Sequence, residues 1–419
     1  MKNQTSRAVL AALLLCGAAG VCTPSAASPK LSSSVGPQIV DAQKKLQAKD
    51  YQGALTELKS LQGTASKDYD LYIINRLIVG AALGLNDMQT AAAAEEAAAA
   101  SPAMPDEDKK SVLHDAMQLA ANVKDWPKTI AYGQQLAQMN ALDPQLIGIL
   151  AIAYYNTNDF ANAQKYAQQS IDMAKAAGQP PDQNALEIIM SSQVKQNNQA
   201  GAEQTLEQLA VMNGTPEDWG QLIGVAFGAK GMGNSEALYL YRLLQITGAM
   251  KAEDYKEMAS DASVLGYPTE AMNVLQQGIS AGKISSADVG ATLAKARRDA
   301  QMDERSLPQI VASAQKSRTG EQDVKLGEDY WGYGRYADAE AAAREGMAKG
   351  GLKTPWEGPM LIGAAQVAQG KYADAIQTLS QVSDNDAVTR TAHLWSLYAQ
   401  AKLRPARASA AAPAQTPSQ

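Results

Sequence analysis

Hydrophobic positions recur along this chain at helical spacing, almost without a break, from Pro37 to about Leu403. The segment Gln145–Ala177 shows the pattern most clearly. Leu146, Ile149, Leu150 and Ala153 fall on one stripe of a first helix, and Phe160, Ala163, Ala167 and Ile171 on one stripe of a second. Between them Asn156-Thr157-Asn158-Asp159 interrupts the stripe, and Asp159 is placed to cap the second helix by accepting backbone N–H bonds. The same phrase returns along the chain: a turn, an aromatic or polar residue, then a small residue three places on. It reads KDYQGA at 49–54, KDWPKT at 124–129, NDFANA at 158–163, GRYADA at 334–339 and GKYADA at 370–375, with weaker copies between. The phrases end at 54, 91, 129, 163, 202, 237, 271, 307, 339 and 375. Such a spacing predicts an all-α solenoid of about ten antiparallel helix pairs over residues 37–403, each pair contacting chiefly its neighbours. Thr391–Leu403 reads as a lone helix closing the last pair.

The small residue that ends each phrase marks the place where the two helices of a pair cross closely. The weakest phrase is Asp303–Leu307, and the stretch 280–320 around it reads as a distorted unit or a hinge. Residues 28–36 form a Ser/Pro/Gly-rich lead-in and 404–419 a Pro/Ala/Ser tail, both expected to be disordered. The first 27 residues have the order of a cleaved signal peptide: Lys2 and Arg7, an apolar run from Ala8 to Ala19, then Ser25-Ala26-Ala27. That run is shorter than the ~20 residues a spanning helix needs, so no transmembrane span is expected in the mature chain. The expected location is the periplasm.

Cys16 and Cys22 both lie inside this leader, following Leu15 and Val21, and neither neighbour is the small residue a lipidation site calls for. The mature chain would then have no thiol, which removes disulfides, thiolate catalysis and cysteine-ligated metal together. The 37 basic and 43 acidic residues, 35 against 43 without Lys2 and Arg7, argue against a nucleic-acid footprint. His114 and His393 stand in distant units with no cluster at metal-ligand spacing, and no catalytic or phosphate-binding motif is present. The expectation is a non-enzymatic chain without a cofactor.

The phrase and its period resemble the tetratricopeptide repeat (TPR) family. Ala151 and Tyr154 with Ala163, and Gly327 and Tyr330 with Ala339, match its small–aromatic–small pattern. Gly363 with Ala375 matches in part, since Gln366 replaces the aromatic, and Lys295 and Arg298 depart from the pattern. The resemblance implies a right-handed superhelix whose first helices line a concave groove that takes a protein or peptide partner. Counting back from each small residue, the implied groove set includes Arg76, His114, Asn122, Tyr155, Asn156, Asn184, Lys195, Trp219 and Trp331. Amides suit backbone recognition because they donate and accept together, and aromatics supply anchor area. Arg76, Asn122 and Lys195 have the types of the family's carboxylate clamp but not its offsets. The stretch from Tyr241 to Gly358 also resembles exported repeat proteins of Gram-negative bacteria, some accompanying TonB-type envelope systems, which implies an envelope partner. A glycan- or peptidoglycan-binding array, with Trp219, Trp331 and Tyr155 as stacking platforms, and a self-assembling structural unit are the alternatives.

Overall fold

The computed structural model describes residues 30–411, with side chains as far as Leu403. The expected signal peptide and residues 412–419 of the expected tail lie outside the described residues. Among the described residues there are twenty helices and no strand. They form two compact units, one up to Ala202 and one from Glu203.

Unit 1 holds α1 (Gly36–Gln47), α2 (Tyr51–Gln62), α3 (Asp68–Gly84), α4 (Met88–Ala99), α5 (Lys109–Asn122), α6 (Trp126–Gln138), α7 (Pro144–Asn156), α8 (Phe160–Ala176) and α9 (Gln183–Lys195). Consecutive helices pack as hairpins, and first helices of successive pairs also touch, α1 with α3, α5 with α7 and α7 with α9. The helix α10 (Gln199–Asn213) begins in this unit and continues into the next.

Unit 2 continues with α11 (Pro216–Ala226), α12 (Asn234–Thr247), α13 (Ala252–Leu265), α14 (Pro268–Ser280), α15 (Ser286–Lys316), α16 (Glu321–Gly332), α17 (Tyr336–Lys349), α18 (Glu357–Ala368), α19 (Tyr372–Leu379) and α20 (Asp386–Ala411). Among the described residues the pairs α1/α2, α3/α4, α5/α6, α7/α8, α11/α12, α13/α14, α16/α17 and α18/α19 form eight helical hairpins, beside one long helix (α15) and a closing helix (α20). That closing helix begins before Thr391 and extends past Leu403.

The repeated phrase works as a local stop-and-restart signal. In unit 1 Lys49, Asn86, Lys124, Asn158 and Asn197 adopt positive φ. The next residue then donates its N–H to the carbonyl five positions back: Asp50 to Lys45, Asp87 to Ala82, Asp125 to Ala120, Asp159 to Tyr154 and Asn198 to Gln193. Those same residues cap the following helix, their side chains accepting from the N–H of Gly53, Thr90, Lys128, Asn162 and Gly201. In unit 2 the positive φ is taken by Gly266, Gly334 and Gly370, followed by the same five-back bond without a side-chain cap.

The small residue of every working phrase is buried: Ala54, Ala91, Thr129, Ala163, Ala271, Ala339 and Ala375 expose nothing, and Ala202 and Ala237 almost nothing. Gly327 shows why volume is excluded at these crossings. A Cβ there would stand 2.8 Å from Leu361 Cδ2 and 3.0 Å from the Ala339 carbonyl oxygen. The phrase Asp303–Leu307 is a correction to the sequence reading, because α15 runs straight through it for 31 residues. Leu307 stands where a small residue would let a second helix close down, and no positive-φ residue interrupts the backbone there.

Candidate functional site

The predicted groove residues divide between the units. On α5, α7 and α9, which touch in sequence, residues at equal distances before the small residue occupy equivalent places. Asn122, Asn156 and Lys195, each seven before, are all exposed. One place earlier come Ala121, Tyr155 and Val194, and three earlier again Gln118, Ile152 and Ser191. Ile152 is 39% exposed and Val194 59%, while Tyr155 is half-buried with its ring edge-on to Phe160 at 5.7 Å. Asn156 donates back to the Ile152 carbonyl at 2.8 Å. Asn184 is exposed at the start of α9 and bonds to its cap, Asp182. Unit 1 therefore presents an apolar strip bordered by amides and one base.

Two predicted members of that set have other duties. Arg76 is buried on α3 and ion-paired with Glu95 on α4 and, at 3.2 Å, with Asp115 on α5, so it ties two hairpins together instead of facing a ligand. His114 is partly exposed and lies 3.4 Å from Asp115 and 3.7 Å from Asp143, and the hydrogen bond to Asp115 chiefly raises its pKa. Glu95 is wholly buried, and burial pushes its carboxyl up to about 8 against the pull of Arg76. The sign follows from linkage. A folded pKa above the ordinary 4.5 means a contribution present in full below that value and lost as pH rises through about 8. The thermal midpoint of the wild type should accordingly fall between pH 5 and 9 more steeply than that of Glu95→Gln, which keeps the shape without the ionisation. Equal slopes in the two proteins would show that Glu95 does not titrate in this window.

In unit 2 the two predicted aromatic anchors are core residues. Trp219 is 2% exposed and meets Tyr398 edge-on at 5.3 Å. Trp331 is 5% exposed, between the guanidinium of Arg242 at 4.8 Å and the ring of Trp395 at 6.1 Å. Neither offers a free face for a sugar or a peptide. The reason is that α20 turns back onto α11 and α12 as well as packing on α18 and α19. Trp395 donates its indole N–H to the Tyr239 carbonyl at 3.0 Å, and the Ala387 N–H bonds to the Lys230 carbonyl. His393, on the same helix, lies 3.0 Å from Glu207 of α10, and that bond raises its pKa.

At the centre of unit 2 is a charged knot that sequence reasoning missed. Arg242 is fully buried, gripping Glu270 through Nε and Nη2 at 2.7 Å each and meeting Glu328 at 2.7 Å. Tyr239 donates its hydroxyl to Glu328. The signal was present as an arginine inside the apolar run Leu240–Leu244. Nearby, burial pushes Glu357 and Asp329 each up to about 7. The neighbouring carboxylates add to that push, Glu328 and Glu321 on Glu357 and Asp303 and Glu328 on Asp329. Among the described residues no three His, Cys, Asp or Glu side chains are grouped to hold a metal, and no helix is long and apolar enough to cross a membrane.

The fold and the exposed strip define a helical-repeat protein with a TPR-like architecture. No protein-family description and no curated protein matches the sequence. Among solved structures the chain is similar to a tetratricopeptide repeat protein from Parabacteroides merdae, at 10% identity over 80% of this chain and 100% of that one, with a TM-score of 0.31. It is also similar to the TPR domain of P58(IPK), at 9% identity over 90% and 99% with a TM-score of 0.22. A third, the pentatricopeptide repeat protein PPR10 from maize, is matched at 12% identity over 91% and 66% with a TM-score of 0.31.

Proposed function

We propose that this chain is a non-enzymatic scaffold, exported to the periplasm through a cleaved leader, that holds an envelope protein or peptide against the first-helix layer of unit 1. The observation that carries this reading is the exposed pair Ile152 and Val194, placed with Tyr155 on adjoining helices between Asn122, Asn156 and Lys195. Apolar anchors of this kind supply affinity to an extended or helical segment, and the amides set its register. The resemblance of the C-terminal stretch makes a component of a TonB-type system the first partner to examine.

The test is a crosslinking capture from envelope fractions with the wild type and with Ile152→Asp/Val194→Asp. Val194 is 59% exposed and Ile152 39%, so a circular-dichroism melting curve run beside the capture shows that the double variant keeps its fold. A partner recovered by the wild type and lost by the double variant is the expected result. Equal recovery by both proteins would reject the unit 1 surface.

A further inference from the structure

The long helix α15 buries one side through Val289, Leu293, Ala296 and Ala300. At 3.6 residues per turn, Arg298, Arg305 and Lys316 fall on a single line along its opposite side, spanning roughly 27 Å at a rise of about 1.5 Å per residue. All three are exposed, and none makes an ion pair or a hydrogen bond among the described residues. Gln309, also exposed, stands on the same line, with Ala312 and Met302 to either side of it and Gln301 further round. The acidic side chains of this helix point away from the line. Asp299 is engaged with Lys295 at 2.6 Å and Asp303 accepts from the Tyr333 hydroxyl at 2.7 Å. Glu304, also exposed, lies about 120° round the helix from Arg298, so in a chain of net charge −6 this line carries three bases and no acid.

We infer that this face of α15 docks an acidic helix of a partner protein. The bases are seven and eleven residues apart, two and three helical turns, so carboxylates on one stripe of a second helix laid alongside would meet all three. Guanidinium groups grip carboxylates bidentately, and the amide and alanine side chains between them let a second backbone approach. A bilayer would want an apolar wedge beside the bases, but Met302, 62% exposed, is the single large apolar side chain flanking the line. This surface is separate from the unit 1 strip and does not depend on it.

The experiment titrates the full chain with a fluorescein-labelled alanine-rich helical peptide bearing glutamates at the seven- and eleven-residue spacings. Its lysine counterpart and vesicles of phosphatidylcholine with phosphatidylglycerol run beside it. The glutamate helix should bind, more weakly as salt rises. Arg298→Glu/Arg305→Glu should lose about tenfold or more in affinity, with an unchanged melting curve. Ile152→Asp/Val194→Asp should bind the peptide as the wild type does, which separates this surface from the proposed groove. The inference is overturned if the glutamate helix does not bind, or if the lysine helix binds equally well. It is also overturned if the charge-reversed variant binds as the wild type does, or if vesicles bind while the peptide does not. A wild-type dimer in light scattering that the variant abolishes would make the occupant a second copy and overturn it too.

Discussion

Arg242→Met should lower the stability of unit 2 by about 3–5 kcal/mol, the cost expected when one partner is taken from a buried ion pair. The methionine fills much of the space but leaves Glu270 and Glu328 facing each other in the core without the cation they share. Tyr239 and Trp331 lose the guanidinium that lies over both rings. The informative companion is the triple variant Arg242→Met/Glu270→Gln/Glu328→Gln, which removes all three charges at similar volume. Chemical unfolding followed by tryptophan fluorescence should place the triple variant nearer the wild type than the single one. A triple variant less stable than Arg242→Met would mean that the pairings themselves, and not the stranded carboxylates, dominate.

Trp395→Ala should cost a comparable amount, about 3–5 kcal/mol, because it empties a fully buried indole site and removes a hydrogen bond. Its distinguishing mark is where the damage appears. The indole bridges α20 to the backbone of α12 and to the ring of Trp331, residues far away in sequence. Hydrogen exchange should therefore show α11 and α12 losing protection together with α20, while α13 and α14 lose less. Loss confined to α18, α19 and α20 would show that closure contributes little and that α20 serves only as the cap of the last pair.

These two sites also show what could and could not be read from the chain. The turn phrase was legible because its chemistry is local. A residue able to take positive φ, a capping Asp or Asn and a buried small residue all lie within six positions, as at Asn158–Ala163. The exposed amides Asn122 and Asn156 were reached by the same counting. Trp219 and Trp331 were misplaced because counting within a repeat assumes an open inner face. What covers them is α20, which begins more than 50 residues further on, and no periodic pattern announces that return. Arg76 was misread for a related reason: Glu95 and Asp115, its partners, lie on the next two helices. The basic line on α15 is not legible from a repeat pattern that puts a turn at Asp303–Leu307, since Arg298 and Lys316 share a face only if one helix carries both.

The return of α20 onto α11 and α12 also fixes how many repeats unit 2 can contain. An open array tolerates the gain or loss of a hairpin, because each new pair needs only two neighbours. Here an added hairpin between α13 and α19 would carry Trp395 away from the Tyr239 carbonyl and part Ala387 from Lys230. Duplication of about 34 residues should therefore be accepted among the hairpins of unit 1 and rejected within unit 2. The two halves of one repetitive chain would then follow different rules for growth in length.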